Sequence, residues 1–126
     1  MFKKIDHIEL IPEDFDRALT FYTDILGFRV RERAVVDAAP LQEIAYIELG
    51  GAVVELMRVQ QPSASLDDPW SCGYRAIALE VENMEQALAY LSERGVAVTW
   101  GPVDLGKSKR AEIKDSEGNI IELRQW

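Results

Sequence analysis

The chain has 126 residues, 48% of them hydrophobic and 29% charged, the composition of an ordinary globular domain rather than of a disordered or fibrous chain. A domain of this size buries roughly two-thirds of its unfolded surface and needs no staple, and the single cysteine, Cys72, rules out an internal disulfide or a paired-thiol metal clip. Fourteen basic against 22 acidic residues give a net charge of −8, which repels a phosphate backbone and argues against nucleic acid as a partner. No apolar run approaches the ~20 residues needed to cross a bilayer, and Asp6, His7 and Glu9 interrupt any signal-peptide core, so a cytoplasmic protein with no membrane partner is expected.

In chain order, Ile5 to Ile11 alternates as a strand, and Pro12 stands just before an acidic helix start. Phe15, Ala18, Leu19, Tyr22 and Leu26 recur at helical spacing, and Gly27 follows as the residue that ends the helix in a left-handed conformation. Strands are predicted over 28–36, 41–49 and 52–58, with Gly50-Gly51 as the hairpin turn between the last two. The stretch from Gln60 to Gly73, with Pro62, Ser63, Ser65, Asp67, Asp68 and Pro69, reads as a linker; Cys72 within it reads as a small residue rather than a nucleophile. A second series then begins: strand 75–81, helix near 84–94, and strands near 96–100, 111–114 and 119–124, with the last turn at Ser116-Glu117-Gly118-Asn119.

The second series repeats the first. At an offset of 69, Ile8, Leu10, Glu13, Ala18 and Leu19 meet the identical Ile77, Leu79, Glu82, Ala87 and Leu88. Gly27 then lies over Gly95, and Val53-Val54-Glu55-Leu56 over Ile120-Ile121-Glu122-Leu123. Each half is thus a βαβββ module: 1–58, a linker at 59–74, and 75–126, together one domain of α+β class whose eight strands would curl into a cupped mixed sheet.

Strand alternation selects the candidate chemistry. With Ile8 and Leu10 against the first helix, His7 and Glu9 point the other way; with Val54 and Leu56 inward, Glu55 and Met57 share the opposite face; and Glu122 and Arg124 do the same in the last strand. Glu55 and Glu122 sit between apolar neighbours, where an unpaired carboxylate is costly to desolvate and a cation would neutralise it. His7, Glu55 and Glu122 are therefore candidate ligands for a divalent ion such as Zn, Ni, Co, Mn or Fe. The basic runs at 29–33 and 107–110 read as solvated surface, although Lys107, Lys109 and Arg110 could hold an anionic part of a small ligand. Met57, Trp70, Tyr74 and Trp100 could supply its apolar or stacking walls.

Four segments, Ile5-Asp6-His7-Ile8-Glu9-Leu10, Phe21-Tyr22-Thr23-Asp24-Ile25-Leu26-Gly27-Phe28, Val53-Val54-Glu55-Leu56 and Asp115-Ser116-Glu117-Gly118-Asn119-Ile120-Ile121-Glu122-Leu123, carry a resemblance to the vicinal oxygen chelate superfamily. That group includes glyoxalase I, methylmalonyl-CoA epimerase and the bleomycin-resistance proteins. The resemblance implies the glyoxalase fold, a homodimer and four metal ligands from the first and last strands of the two modules. His7, Glu55 and Glu122 match three of them. Ala76 stands at the fourth, and the chain has no second histidine to replace it; its neighbour Arg75 is expected to point to the helix side.

Two functions follow from the resemblance. One is a metal-dependent lyase or isomerase that acts on a hemithioacetal or a 2-substituted thioester through an enediolate, with Glu122 as base and Glu55 as its counterpart. The other is a drug- or small-molecule-binding protein without catalysis, which Ala76 would suit.

Overall fold

The computed structural model describes residues 1–64 and 68–126. They form two compact units, Met1–Ala64 and Ser65–Trp126. The predicted linker includes residues 65–67, which lie outside the described residues; residues 60–64 and 68–75 contain turns but no helix or strand. The eight expected strands are present as two four-stranded mixed sheets of the same topology.

In the first unit the elements are β1 (Ile8–Leu10), α1 (Phe15–Thr20), a π-helical turn (Phe21–Ile25), β2 (Arg29–Ala38), β3 (Leu41–Leu49) and β4 (Ala52–Val59). The sheet order is β1-β4-β3-β2, with β1 parallel to β4 and the other pairs antiparallel. Asp14 caps α1, its side chain accepting from the Arg17 N–H at 3.0 Å, and so satisfies a backbone donor that the first helical turn leaves free. The periodicity predicted one helix through Leu26; its last stretch widens instead, with the Leu26 N–H reaching back five residues to Phe21 O. Gly27, at φ +81°, ends it as predicted.

Phe15, Ala18, Leu19 and Tyr22 are buried from the helix side, and Ala45, Ile47, Val54 and Leu56 from the sheet side. Each large side chain withdrawn from water there contributes roughly 1.5–3 kcal/mol. β1 is shorter than the predicted 5–11 because its ladder covers only Ile8 to Leu10 opposite Val54 to Leu56.

The second unit repeats the plan: β5 (Ala76–Glu80), α2 (Met84–Glu93), β6 (Trp100–Asp104), β7 (Lys109–Lys114) and β8 (Ile120–Gln125), in sheet order β5-β8-β7-β6. Its core holds Met84 and Leu91 of α2 against Ala111, Ile113, Ile121 and Leu123. Asp115 closes the β7–β8 turn by accepting from the N–H groups of Glu117 and Asn119 at 2.9 and 2.8 Å.

β6 begins at Trp100, not at Val96 as predicted. The N–H of Val96 is already committed to Leu91 O at 2.9 Å, closing the end of α2, so the chain enters the ladder only afterwards. Gly101 marks the irregular step in the β6–β7 register: at φ +78° it has space for no side chain, since a Cβ would stand 2.7 Å from Arg110 O. No helix among the described residues is long and apolar enough to cross a membrane.

Candidate functional site

The ladder of the first sheet puts Glu9, Glu55, Tyr46 and Glu32 in one row across its four strands. Val54 and Leu56 are buried with the core, so alternation sends this row to the face away from α1. His7 stands two residues before Glu9 and shares that face. Its Nε2 lies 3.1 Å from Glu55 Oε2 and 3.9 Å from Glu9 Oε1. Ligand atoms of His7, Glu9 and Glu55 all fall within 4.8 Å of one another.

The groups behind this cluster orient it. His7 Nδ1 is hydrogen-bonded to Asp6 Oδ2 at 2.8 Å, which leaves Nε2 as the nitrogen facing the carboxylates. That bond raises the imidazole pKa above its ordinary value, against the effect of burial, and the charge of Glu55 adds to it. The Tyr46 ring meets the imidazole edge-on at 5.6 Å, and its hydroxyl is hydrogen-bonded to Glu55. Burial, and then the Glu55 charge, push the phenol pKa up, so Tyr46 keeps its proton and donates it. Glu55 is only 6% exposed. A buried carboxylate beside an imidazole nitrogen and a second carboxylate is a donor set that suits a borderline or hard divalent ion and leaves coordination positions open.

Of the predicted residues, the structure brings His7 and Glu55 together and puts Met57 on the same face, opposite Ile44 in the ladder. Glu9, absent from the expected ligand set, joins them; strand alternation already carried that signal. Asp6 and Tyr46 had none, because hydrogen bonds between neighbouring strands and loops are set by tertiary placement.

In the second unit Glu122 has different company. Its Oε1 accepts from Arg124 Nε at 2.9 Å and from Nη2 at 2.6 Å, and its Oε2 lies 3.2 Å from Arg110 Nε. Its ladder partner Glu112 accepts from both Nη atoms of Arg75 at 3.2 Å and from Arg110 Nη2 at 2.8 Å. Arg75 thus reaches the face that Glu122 occupies, which corrects the expectation that it points to the helix side. β5 begins only at Ala76, so alternation does not bind Arg75.

The predicted basic run is divided in the same way. Arg110 joins the glutamates, whereas Lys109 is opposite Gln125, whose side chain turns to accept from the Met84 N–H at the start of α2, and so lies on the helix side. Lys107 and Lys109 are exposed. Trp100 lies in the ladder row of Glu112, 44% exposed, with the Arg110 guanidinium 5.1 Å from its ring centroid. Tyr74 and Cys72 are exposed.

Comparison with known proteins agrees with this architecture. The family described as the Glyoxalase/Bleomycin resistance protein/Dioxygenase superfamily matches residues 4–123. The chain is 30% identical to the uncharacterized protein YaeR of Escherichia coli, covering 96% of this chain and 95% of that one. It is 27% identical to human mitochondrial methylmalonyl-CoA epimerase, covering 97% of this chain and 73% of that one. Among solved structures, a glyoxalase family protein from Enterococcus faecalis superposes with a TM-score of 0.83 at 26% identity, over 98% of each chain.

Proposed function

Because the chain belongs to the Glyoxalase/Bleomycin resistance protein/Dioxygenase superfamily, we propose that it is a divalent-metal-dependent lyase or isomerase. Its substrate would be a small 2-oxo or 2-hydroxy thioester or hemithioacetal. The observation that carries this reading is the convergence of His7, Glu9 and Glu55 within 4.8 Å, with Glu55 buried. The donor set fits an ion: one imidazole nitrogen held toward the site by Asp6, and two carboxylates whose charge burial makes costly. A divalent ion bound there supplies Lewis acidity to two adjacent substrate oxygens and eases loss of a proton from the neighbouring carbon.

The chain's own residues do the rest. His7 and Glu55 hold the ion, Glu9 completes the set, and Tyr46 keeps a hydrogen bond on Glu55. Glu122 is the proposed proton-transfer base and Glu55 its counterpart, on their match to the family positions. Arg110 and Arg124 fix the Glu122 carboxylate. Lys107, Arg110, Trp100 and Met57 are proposed substrate contacts; Lys109, on the helix side of β7, is not among them. A homodimer is the assembly proposed for the working protein, and the exposed Phe2 and Ile5, which precede His7 in the chain, are apolar surface for it to cover.

The test is elemental analysis of protein purified without chelator, beside His7→Ala and Glu55→Gln, with Co²⁺ or Ni²⁺ restored. About one ion per chain is expected in the parent, lost in both variants. Glu122→Gln should keep the ion but lose exchange of the substrate's carbon-bound proton with solvent. If no ion binds the parent at micromolar metal, the lyase reading falls. A second reading, a small-molecule-binding protein without catalysis, is favoured by Ala76 at the fourth family position and by the arginines that already neutralise Glu122. Ligand binding without turnover in metal-loaded protein would select it.

A further inference from the structure

The second unit's sheet carries a cluster of opposite character. Glu112 and Glu122 are adjacent in the ladder and are enclosed by Arg75, Arg110 and Arg124. Arg124 Nη1 also donates to Ser108 Oγ at 3.1 Å. Three guanidinium groups carry more N–H donors than two carboxylates and a hydroxyl can accept. The surplus is visible in the geometry. Among the described residues Arg75 Nε is buried without a hydrogen-bond partner, and Arg110 Nε, although 3.2 Å from Glu122, is not directed at it. Buried donors of this kind are rare in folded proteins and call for an acceptor. Alternation adds Lys114 and Glu80 to the same face, and their charges cancel. The cluster is therefore a local cationic patch on a chain of net charge −8.

All three tryptophans of the chain attend these arginines. The Arg75, Arg110 and Arg124 guanidinium carbons lie 4.8, 5.1 and 5.2 Å from the ring centroids of Trp70, Trp100 and Trp126. Stacking on indole holds a guanidinium plane in place and leaves its edge to bind. The three arginine side chains keep 28%, 27% and 23% of their surface open to solvent, so none of them is closed off by the fold.

We propose that Arg75, Arg110 and Arg124 form an oxoanion site that takes the carboxylate or phosphoryl group of a small organic molecule. The Arg–Glu–Arg–Glu–Arg sequence of contacts already accommodates two carboxylates, Glu112 with both oxygens on the Arg75 fork and Glu122 with one oxygen on two donors of Arg124, and a third oxoanion meets the remaining donors in the same way. The site stands without the ion cluster of the first unit.

The tryptophans make it directly measurable. Protein stripped of metal by chelating resin is titrated with succinate and, separately, with inorganic phosphate, following tryptophan fluorescence and heat, with sodium chloride at matched ionic strength as control. A saturable change absent from the chloride titration is expected, weakened at least about tenfold in Arg75→Gln and unchanged in His7→Ala. A response to succinate alone assigns a carboxylate ligand; a response to phosphate alone assigns a phosphoryl group. Arg75→Lys keeps the charge but not the fork, so it carries the same expected loss should the glutamine variant fail to fold. A response that only follows ionic strength, or full binding in a folded Arg75 variant, overturns the proposal. Anion binding with no ion binding in the first unit would leave this site standing and remove the lyase reading; the reverse result would separate them in the other direction.

Discussion

At the scale of single residues, the chemistry turns on which nitrogen of His7 is free and when. A protonated imidazole cannot ligate, and the Asp6 hydrogen bond raises the pH at which His7 gives up its proton. Affinity for a divalent ion should therefore fall as pH drops through this raised value, earlier than for an ordinary histidine. Asp6→Asn removes the anionic partner while keeping a group of the same size. Cobalt affinity measured by calorimetry above the raised value should drop by roughly 10- to 100-fold, as is usual when the orienting carboxylate of a ligand histidine is lost. The pH below which binding fades should also move down. Unchanged affinity would mean that the strand alone orients the ring. His7, Glu9 and Glu55 were legible in the sequence because a period of two puts them on one face. Asp6 was not, since a residue next to His7 in the chain would alternate away from it in a regular strand. β1 starts only at Ile8, which frees Asp6 to turn back to the ring.

At the scale of elements, Glu43 of β3 ties β2, β3 and β4 together through side chains. It accepts from Arg33 of β2 and, at 3.1 Å, from Arg58 of β4. Arg58 reaches Asp16 of α1 at 2.8 Å, and both guanidinium groups lie over the Phe15 ring. The Arg33 hydrogen bond holds the Glu43 carboxyl below its ordinary value, against its burial, with Arg58 adding to the effect. A depressed folded value stabilises the fold fully above the ordinary carboxylate range, and the contribution is lost as pH falls through the depressed value. Glu43→Gln should cost on the order of 1–3 kcal/mol at neutral pH, with the gap to the parent closing in acid. Urea unfolding near pH 7 and near pH 3 checks this, and a gap of equal size at both would assign the loss to packing. The ends of both helices were readable from Gly27 and Gly95, because caps are local. The place of β6 was not, because the end of α2 and the strand compete for the same backbone around Val96.

At the scale of the whole molecule, one supersecondary plan is used twice with different surface chemistry. The row Glu9, Glu55, Tyr46, Glu32 in the first sheet corresponds to Ala78, Glu122, Glu112, Trp100 in the second. The first has an imidazole beside its carboxylates, a donor set that fits a cation; the second has arginines threaded through it. An ion that binds the folded state alone stabilises it by mass action, about 2.7 kcal/mol at a hundred times the dissociation constant. Cobalt at that excess should raise the melting midpoint, followed by circular dichroism, by several degrees in the parent and leave His7→Ala unmoved.

The repeat, the order of elements and the faces of the strands were determined by the sequence, because each rests on a local period or a local cap. Only the tertiary structure decided which charges meet. Arg75 is 37 positions from Glu112, and Arg124 is 16 from Ser108. Long, flexible side chains of this kind choose partners by distance in space, which no spacing along the chain encodes. For that reason Glu122 looked like a ligand waiting for a metal and is found in the grip of two arginines.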